Sequence, residues 1–230
     1  MIERETISRE TMKTLILCPL RAELNLIAES LGKKGLSRVE EEGRMPLFSY
    51  PDLHLKMAVG GHGKVQFALH TQFLLQQDPT IERVICMGCA GALAPEVGIG
   101  DVVLGKHTLE HDFLLKFILK PSPLFKGHAE TLERLLKLKN DGMNLHVGTI
   151  ASGDEDVLEE ERAHELYRRT QALAVAWEGA GGARACAFHN VPYLEVRGVT
   201  DRADERAVEG FESSFRGVME RLSDCVIALG

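Results

Sequence analysis

The chain has 230 residues, of which 44% are hydrophobic and 27% are charged, a composition typical of a globular protein with one large core. Its formal net charge of −7 argues against nucleic acid as a partner, because a phosphate backbone binds to a basic surface. The apolar runs are shorter than the roughly 20 residues of a membrane span, and the first residues lack the apolar core of a signal peptide. We therefore expect no membrane association, a cytoplasmic location, an N-terminal extension over 1–12 and a single domain over 13–230.

Predicted strands and helices alternate along the chain. Each predicted strand is a short apolar run followed by small or polar residues, and the helix predicted after the first strand has Leu24, Ile27, Ala28 and Leu31 on one face. In chain order we predict a strand at 14–18, a helix from about 22 to 31, a hairpin over 45–59, a helix over 64–77, strands at 83–87 and 147–151, a helix over 157–170, a strand at 173–176, a helix over 178–189, a strand at 193–197 and a helix from about 205 to 228. This alternation predicts an α/β fold with three layers, α/β/α, around a central mixed β-sheet.

Ligands of such sheets bind in the crevice beyond the carboxyl ends of the strands. The polar side chains that follow the predicted strands are Arg21, Glu23, Cys89, Ser152, Asp154, Glu178, Thr200 and Asp201. The run 88–92, GCAGA, is predicted to be a glycine-rich turn whose small residues let the backbone approach a ligand, although such a run also suits a tight connection without a ligand. The segment 112–130 is predicted to be a long loop and is a candidate lid or subunit contact.

Five sequence runs, taken in order, resemble one family of enzymes. They are GCAGAL at 88–93, VGIGDVVL at 97–104, SGD at 152–154, VAWEGAG at 175–181 and VRGVTDRAD at 196–204. Their order and spacing resemble the nucleoside phosphorylase and nucleosidase family, most closely its methylthioadenosine/S-adenosylhomocysteine nucleosidases. The resemblance implies cleavage of the N-glycosidic bond of a purine nucleoside, with a small-molecule nucleoside as substrate.

The resemblance also implies roles for individual residues. Asp201 lies where the family has the acid that protonates the purine, and Thr200 lies where it has a serine or threonine beside that acid. Glu23 lies at the position of the catalytic glutamate, and with Arg197 it resembles the pair that holds the attacking water. Glu178 matches the glutamate that accepts hydrogen bonds from the ribose hydroxyls. Further substrate-binding positions are implied for Cys89, Ala90, Gly91, Asp156, Val157, Trp177 and Phe211.

Several of these residues also have ordinary structural explanations. Thr200 and Asp201 are common helix N-caps, Glu178 suits the first turn of a helix, and Glu23 is also typical of a solvated helix position. Three positions depart from the family pattern. Cys89 replaces a serine, Asp156 replaces a phenylalanine that stacks on adenine, and Trp177 replaces a methionine under the ribose, so the purine base and the 5′ substituent stay open.

The choice between hydrolysis and phosphorolysis depends on Glu23 and Arg21. The family's phosphorylases have an arginine where this chain has Cys86, which favours hydrolysis, but Arg21 in the run PLRA resembles another of their phosphate-binding arginines. A carboxylate at Glu23 would repel phosphate and suits a water that loses a proton. We therefore predict a hydrolase, and keep a phosphorylase, a futalosine hydrolase and a non-catalytic nucleoside sensor as alternatives.

No metal or organic cofactor is predicted, because the nine histidines are scattered and His111-Asp112 has no companion ligand at a suitable spacing. The five cysteines are an odd number and suit reduced, buried thiols. In the nucleosidases the loop after a His-Asp pair reaches into a neighbouring subunit, so the apolar stretch 113–125 implies a homodimer.

Overall fold

A computed structural model describes residues 13–118 and 120–230, so the predicted extension over 1–12 lies outside the described residues. The strands are β1 (Thr14–Cys18), β2 (Val39–Glu41), β3 (Leu47–Tyr50), β4 (Leu55–Val59), β5 (Arg83–Ala92), β6 (Val102–Glu110), β7 (Leu124–Lys126), β8 (Leu145–Ser152), β9 (Ala172–Ala176) and β10 (Tyr193–Asp201). The helices are α1 (Arg21–Lys33), α2 (Lys64–Gln77), α3 (Ala129–Leu136), α4 (Glu160–Thr170), α5 (Gly179–His189) and α6 (Ala207–Leu229). Short 3-10 turns span Pro51–Leu53 and Lys137–Asp141.

The strands form one mixed sheet that closes on itself at one end. Strands β5, β9, β8, β6 and β10 pair in that order, and β10 pairs again with β5, while β1, β4, β3 and β2 extend the sheet from β5. Pairing is parallel between β1 and its neighbours β4 and β5, and antiparallel between β6 and β10. The predicted α/β fold with a central mixed sheet is therefore confirmed.

Helices cover the sheet on both faces. Side chains of α1 and α6 form one core cluster with inward-facing strand residues such as Met57 and Met87. Side chains of α2 and α5 form a second cluster with strand residues of the opposite orientation, such as Leu15 and Cys86. Because successive strand residues point to opposite faces, a strand buried on both sides reads as a continuous apolar run. This explains why β1, which is buried throughout, was correctly predicted.

Strands β5 and β10 each continue at least four residues beyond their predicted ends, and both extensions lie at the same edge of the sheet. The run 88–92 is not a turn, because β5 continues to Ala92 and pairs there with both β9 and β10. Likewise β10 continues to Asp201, so Thr200 and Asp201 do not cap a helix, and α6 begins only at Ala207. Glycine and alanine have low strand propensity, and pairing on two sides overrides it.

The predicted loop over 112–130 contains the short strand β7 and the first residues of α3. Before β7, the apolar side chains of Phe113, Leu114, Leu115, Phe117 and Ile118 are exposed, and Phe117 is fully exposed. Within residues 13–118 and 120–230, no helix is both long and apolar enough to cross a membrane.

Candidate active site

A cavity of about 330 Å³ opens at the carboxyl ends of β1, β5, β9 and β10. The loop before α4 and the first turns of α6 form the rest of its wall. The cavity brings together the candidate site residues predicted from the sequence, which are Glu23, Cys89, Ala90, Gly91, Asp156, Val157, Trp177, Glu178, Arg197, Thr200, Asp201 and Phe211. The cavity therefore lies where ligands of α/β sheets bind, beyond the carboxyl ends of the strands.

Glu23 lies in the first turn of α1, where it is held by two backbone N–H groups. Leu20 N donates to Oε2 at 2.8 Å, and Cys89 N donates to Oε1 at 2.8 Å. The first bond satisfies one of the free N–H groups at the helix start. The second joins α1 to β5, so the carboxyl group is fixed against the cavity floor rather than solvated.

Burial raises the pKa of Glu23 from its ordinary value of 4.5 to about 7. The two backbone hydrogen bonds and the nearby Arg197 act in the opposite direction, and Glu178 adds to the increase. A carboxyl group that is half ionised near neutral pH can accept a proton from water and later release it.

Arg197 on β10 is 1% exposed and lies at the centre of a buried polar cluster. Its Nε donates to Glu195 at 2.8 Å, and its Nη2 lies 3.1 Å from Glu178 Oε2. Nη2 also lies 3.3 Å from Cys86 Sγ, and Nη1 donates to Cys89 O at 3.2 Å. The guanidinium therefore ties β10 to β5 and to the start of α5.

Glu23 and Arg197 were predicted to act as a pair, and they lie close together without a direct hydrogen bond. A Cβ at Gly88 would lie 2.6 Å from Glu23 Oε1 and 3.1 Å from Arg197 Nη1. Both groups therefore pack against Gly88, and a side chain at this position would displace them. Both also line the cavity, so a water molecule bound in the cavity can contact both groups.

Glu178 lies at the N-cap position of α5 and also lines the cavity. It is therefore both a helix-start glutamate and a residue of the candidate site. Besides Arg197, its carboxylate accepts a hydrogen bond from Gly63 N at 3.3 Å and lies 3.4 Å from His62 Nδ1. Its side chain is almost fully buried. A carboxylate in this position has remaining lone pairs to accept hydroxyl donors.

Asp201 lies at the end of β10, on the other side of the cavity. Thr200 Oγ1 donates to Oδ2 at 2.8 Å, and Ala203 N donates to Oδ1 at 2.9 Å. Burial raises the pKa of Asp201, and these two hydrogen bonds partly oppose that increase. A Cβ at Gly91 would approach Asp201 Oδ1 to 2.7 Å, so a glycine is required opposite this carboxyl group.

The remaining cavity residues are apolar or lie at the rim. The indole of Trp177 stacks on the imidazole of His62 with ring centroids 4.2 Å apart. Val157 is buried, Asp156 is exposed, and Phe211 stacks on Phe215 at 4.7 Å. Burial raises the pKa of the Cys89 thiol well above its ordinary value, and Glu23 adds to the effect. That thiol is therefore neutral and a weak hydrogen-bonding group.

Three residues selected by the crevice rule have other surroundings. Arg21 is exposed and lies outside the cavity lining. Ser152 Oγ donates to Trp177 O and accepts from Ala180 N, which ties β8 to the start of α5. Asp154 Oδ1 accepts from Lys64 N and so caps the start of α2.

Three relevant residues were not predicted from the sequence. His62 and Glu155 line the cavity, and Glu195 lies behind it at 0% exposure. His62 stands in the glycine-rich run GGHGK at 60–64, just before α2. Glu195 was detectable, because it is a charged residue in the apolar run of β10, as is Arg197.

Among the described residues, no group of three or more histidine, cysteine, aspartate or glutamate side chains is placed to hold a metal ion. All five cysteines are free thiols.

The chain is similar to known proteins over nearly its whole length. The phosphorylase superfamily matches residues 13–229. A 5'-methylthioadenosine/S-adenosylhomocysteine nucleosidase of Thermotoga maritima is 32% identical over 160 residues, covering 69% of this chain and 71% of the relative. An aminodeoxyfutalosine nucleosidase of Helicobacter pylori is 30% identical over 172 residues, covering 71% and 74%.

A solved structure shows the same architecture. The crystal structure of Helicobacter pylori 5'-methylthioadenosine/S-adenosyl homocysteine nucleosidase superimposes with a TM-score of 0.84 at 25% identity, covering 95% of this chain and 97% of that one. The family resemblance predicted from the five sequence runs is thus confirmed. This chain belongs to the phosphorylase superfamily.

Proposed function

We propose that the chain is a nucleosidase, an N-glycosyl hydrolase that cleaves the bond between the sugar and the base of a purine nucleoside. The observation that carries the proposal is one cavity with two carboxyl groups, Glu23 and Asp201, whose pKa values are both raised. Hydrolysis of this bond requires a base for water and an acid for the departing purine. The named relatives are nucleosidases, which supports the same reaction class.

The two carboxyl groups line the same cavity, whose volume of about 330 Å³ has room for a nucleoside. Each one lies against a glycine of β5, Glu23 against Gly88 and Asp201 against Gly91. In the proposed binding mode the ribose lies between the two carboxyl groups, with its base directed toward Asp201. Glu178, on the cavity wall, would accept hydrogen bonds from the ribose hydroxyls.

In the proposed reaction, a water molecule in the cavity is held by Glu23 and Arg197. Its oxygen forms a bond to C1′ while its proton passes to ionised Glu23. The bond from C1′ to the purine nitrogen breaks, its electron pair stays with the base, and protonated Asp201 donates a proton to the base. Thr200 orients Asp201 through the hydrogen bond to Oδ2.

Phosphorolysis is the less suitable reaction for this cavity. Arg197 is the one arginine among the described residues that line it, and its guanidinium already contacts two carboxylates. Arg21, the candidate phosphate ligand in the run PLRA, is exposed. A phosphate dianion next to Glu23 and Glu178 would be repelled, whereas a water molecule is not.

The substrate test uses purified protein incubated with methylthioadenosine, adenosylhomocysteine, inosine, aminodeoxyfutalosine or futalosine, each with and without phosphate. Release of free base is followed by chromatography. We expect release without phosphate from at least one adenine nucleoside. Release that requires phosphate would instead identify a phosphorylase, and tight binding without release would identify a nucleoside sensor.

The catalytic roles are tested with matched variants on the same helix. We expect Glu23→Gln to lower turnover on the order of a hundredfold, whereas Glu29→Gln changes it little. Glu29 is also on α1, but it is exposed and pairs with Lys33 and Arg216. Equal rates for the two variants would contradict the role proposed for Glu23.

We also propose that the enzyme is a homodimer. The support is a set of exposed apolar side chains before β7, which includes Phe113, Leu114, Phe117 and Ile118. An exposed apolar surface of this kind is unfavourable in an isolated monomer. Light scattering of the wild type and of Phe117→Asp measures the mass, and we expect the substitution to shift the wild-type dimer toward monomer.

A further inference from the structure

The hydrogen bonds of the Arg197 guanidinium are almost completely occupied by protein groups. Arginine has five N–H donors. The Nε donor is taken by Glu195, the two Nη2 donors by Glu178 and the Cys86 sulfur, and one Nη1 donor by the Cys89 carbonyl. One Nη1 donor remains, and Nη1 and Glu23 Oε1 both approach Gly88, so this donor lies close to the Glu23 carboxyl group.

Glu195 has no contact with the cavity and is not among its lining residues. It is 0% exposed, and both of its oxygens are engaged, Oε1 by Arg197 and Oε2 by Thr108 Oγ1 at 2.6 Å. A Cβ at Gly179 would lie 2.1 Å from Glu195 Oε2, so the first residue of α5 also packs on this carboxylate. A second buried carboxylate beside Arg197 has a desolvation cost, which is offset only by a well-aligned ion pair with additional hydrogen bonds.

We propose that Glu195 is a positioning residue for the hydrolysis reaction, and that it acts through Arg197. It fixes the guanidinium by its Nε, so that the single remaining donor points to the water beside Glu23. Its negative charge also offsets the charge of Arg197, so that the guanidinium does not strongly favour the ionised form of Glu23. This inference rests on the proposed function for its kinetic consequences.

Four groups that face Glu23 determine how strongly its ionised form is favoured. They are Cys18 on β1, Cys89 on β5, Glu178 at the start of α5 and Arg197 on β10. Of these, Arg197 is the one cation, and Glu195 and Glu178 both pair with it. Removing the charge of Glu195 strengthens the net attraction of Arg197 for ionised Glu23, which lowers the pKa of Glu23.

The principal test is Glu195→Gln, which keeps the shape and an oxygen acceptor for Nε but removes the charge. We expect kcat to fall about tenfold with KM within about twofold, because the developing positive charge on the sugar loses a nearby anion. We also expect the acid limb of the kcat/KM profile to move down by about one pH unit, a tenfold change in proton affinity. An unmoved acid limb would overturn the proposal, because a purely structural role does not shift it.

The control is Glu110→Gln. Glu110 is likewise buried and ion-paired, with Lys64 and Arg184, but it lies outside the cavity lining. The Glu110→Gln variant should leave the acid limb of the kcat/KM profile in place.

A second variant applies if Glu195→Gln does not fold. Thr108→Val removes the second hydrogen bond of Glu195 and should lower kcat without changing KM, and Thr108→Ser should restore kcat. Wild-type kcat in Thr108→Val would then overturn the proposal.

A measurement without substrate separates this inference from the proposed function. The protonation of Glu23 is titrated by infrared difference spectroscopy, with Glu23→Gln identifying its carboxyl band. We expect the midpoint near pH 7 in the wild type to fall by about one unit in Glu195→Gln. A wild type that releases no base would refute the proposed function alone, whereas an unchanged infrared midpoint would refute the coupling between Glu195 and Glu23.

Discussion

Replacing Glu23 with glutamine should stabilise the fold at alkaline pH while it reduces turnover. Burial raises the pKa of Glu23 to about 7 from an ordinary value of 4.5. The folded chain therefore binds the proton more tightly than the unfolded chain does. The stability that this contributes is fully present below about pH 4.5 and is lost as the pH rises through 7, where the folded protein must ionise a buried carboxyl group. Glutamine has no such ionisation.

The size of the effect follows from the two pKa values. A difference of one unit corresponds to about 1.4 kcal/mol, so the difference between 4.5 and about 7 corresponds to roughly 3 kcal/mol at full ionisation. Part of this difference is already present at pH 5, because the unfolded carboxyl group titrates first. Between pH 5 and pH 8 the free energy of unfolding of the wild type should fall by roughly 2 to 3 kcal/mol relative to Glu23→Gln.

The measurement is urea unfolding of both proteins at pH 5 and pH 8, compared as a double difference. This comparison cancels the constant effect of the amide, which cannot accept the hydrogen bond from Leu20 N in the same way as the carboxylate. Glu29→Gln, on the exposed face of α1, serves as a control. A double difference within about 0.5 kcal/mol of zero would show that Glu23 titrates as an ordinary carboxyl group, and the role as a base near neutral pH would lose its physical basis.

Four further substitutions test other parts of the molecule. Gly88→Ala should lower initial rates at least about tenfold, because its Cβ would lie 2.6 Å from Glu23 Oε1 and would displace this carboxyl group; an unchanged rate would show that catalysis does not depend on this position of Glu23. Asp201→Asn should lower turnover on the order of a hundredfold with an unchanged circular dichroism spectrum, and a normal rate would exclude it as the acid. Trp177→Ala should raise KM about tenfold with a smaller change in kcat, because the cavity wall formed by the indole stacked on His62 is lost; an unchanged KM would show that this wall does not contact the substrate. Burial lowers the pKa of His111, so its stabilising effect is present above the ordinary value of 6.5 and is lost as the pH falls below it. Thermal melting of His111→Phe should therefore be less sensitive to acid than that of the wild type, and equal sensitivity would contradict this.

The fold was predictable because buried strands and helices require apolar residues in characteristic runs and spacings. The continuous apolar runs of β1 and β9 and the helical spacing of apolar residues in α1 each indicated the element found there. The end of β5 was not predictable, because its glycines and alanines favour a turn when considered alone. They form a strand because β9 and β10 pair with them, and such long-range pairing leaves no local signal.

The candidate site was predictable to the extent that it follows strand ends. Glu178, Thr200 and Asp201 come directly after or at the end of strands, and the cavity contains them all. The sequence did not indicate that His62 stacks on Trp177, because the two residues are far apart in the chain and neither belongs to a repeating pattern. The contact depends on how the loop before α2 packs against the start of α5.

The distribution of charge around Arg197 bears on the choice of nucleophile more directly than any single residue does. Glu178 and Glu195 each form an ion pair with this guanidinium, and two carboxylates against one guanidinium leave an excess of one negative charge before Glu23 is considered. A further anion 4 Å from a carboxylate would meet a repulsion of roughly 4 kcal/mol at an effective dielectric constant of 20. Water meets no such repulsion, and it needs the ionised Glu23 that would exclude phosphate. The same buried carboxyl groups that make the site costly for an anion therefore make it suitable for the deprotonation of water.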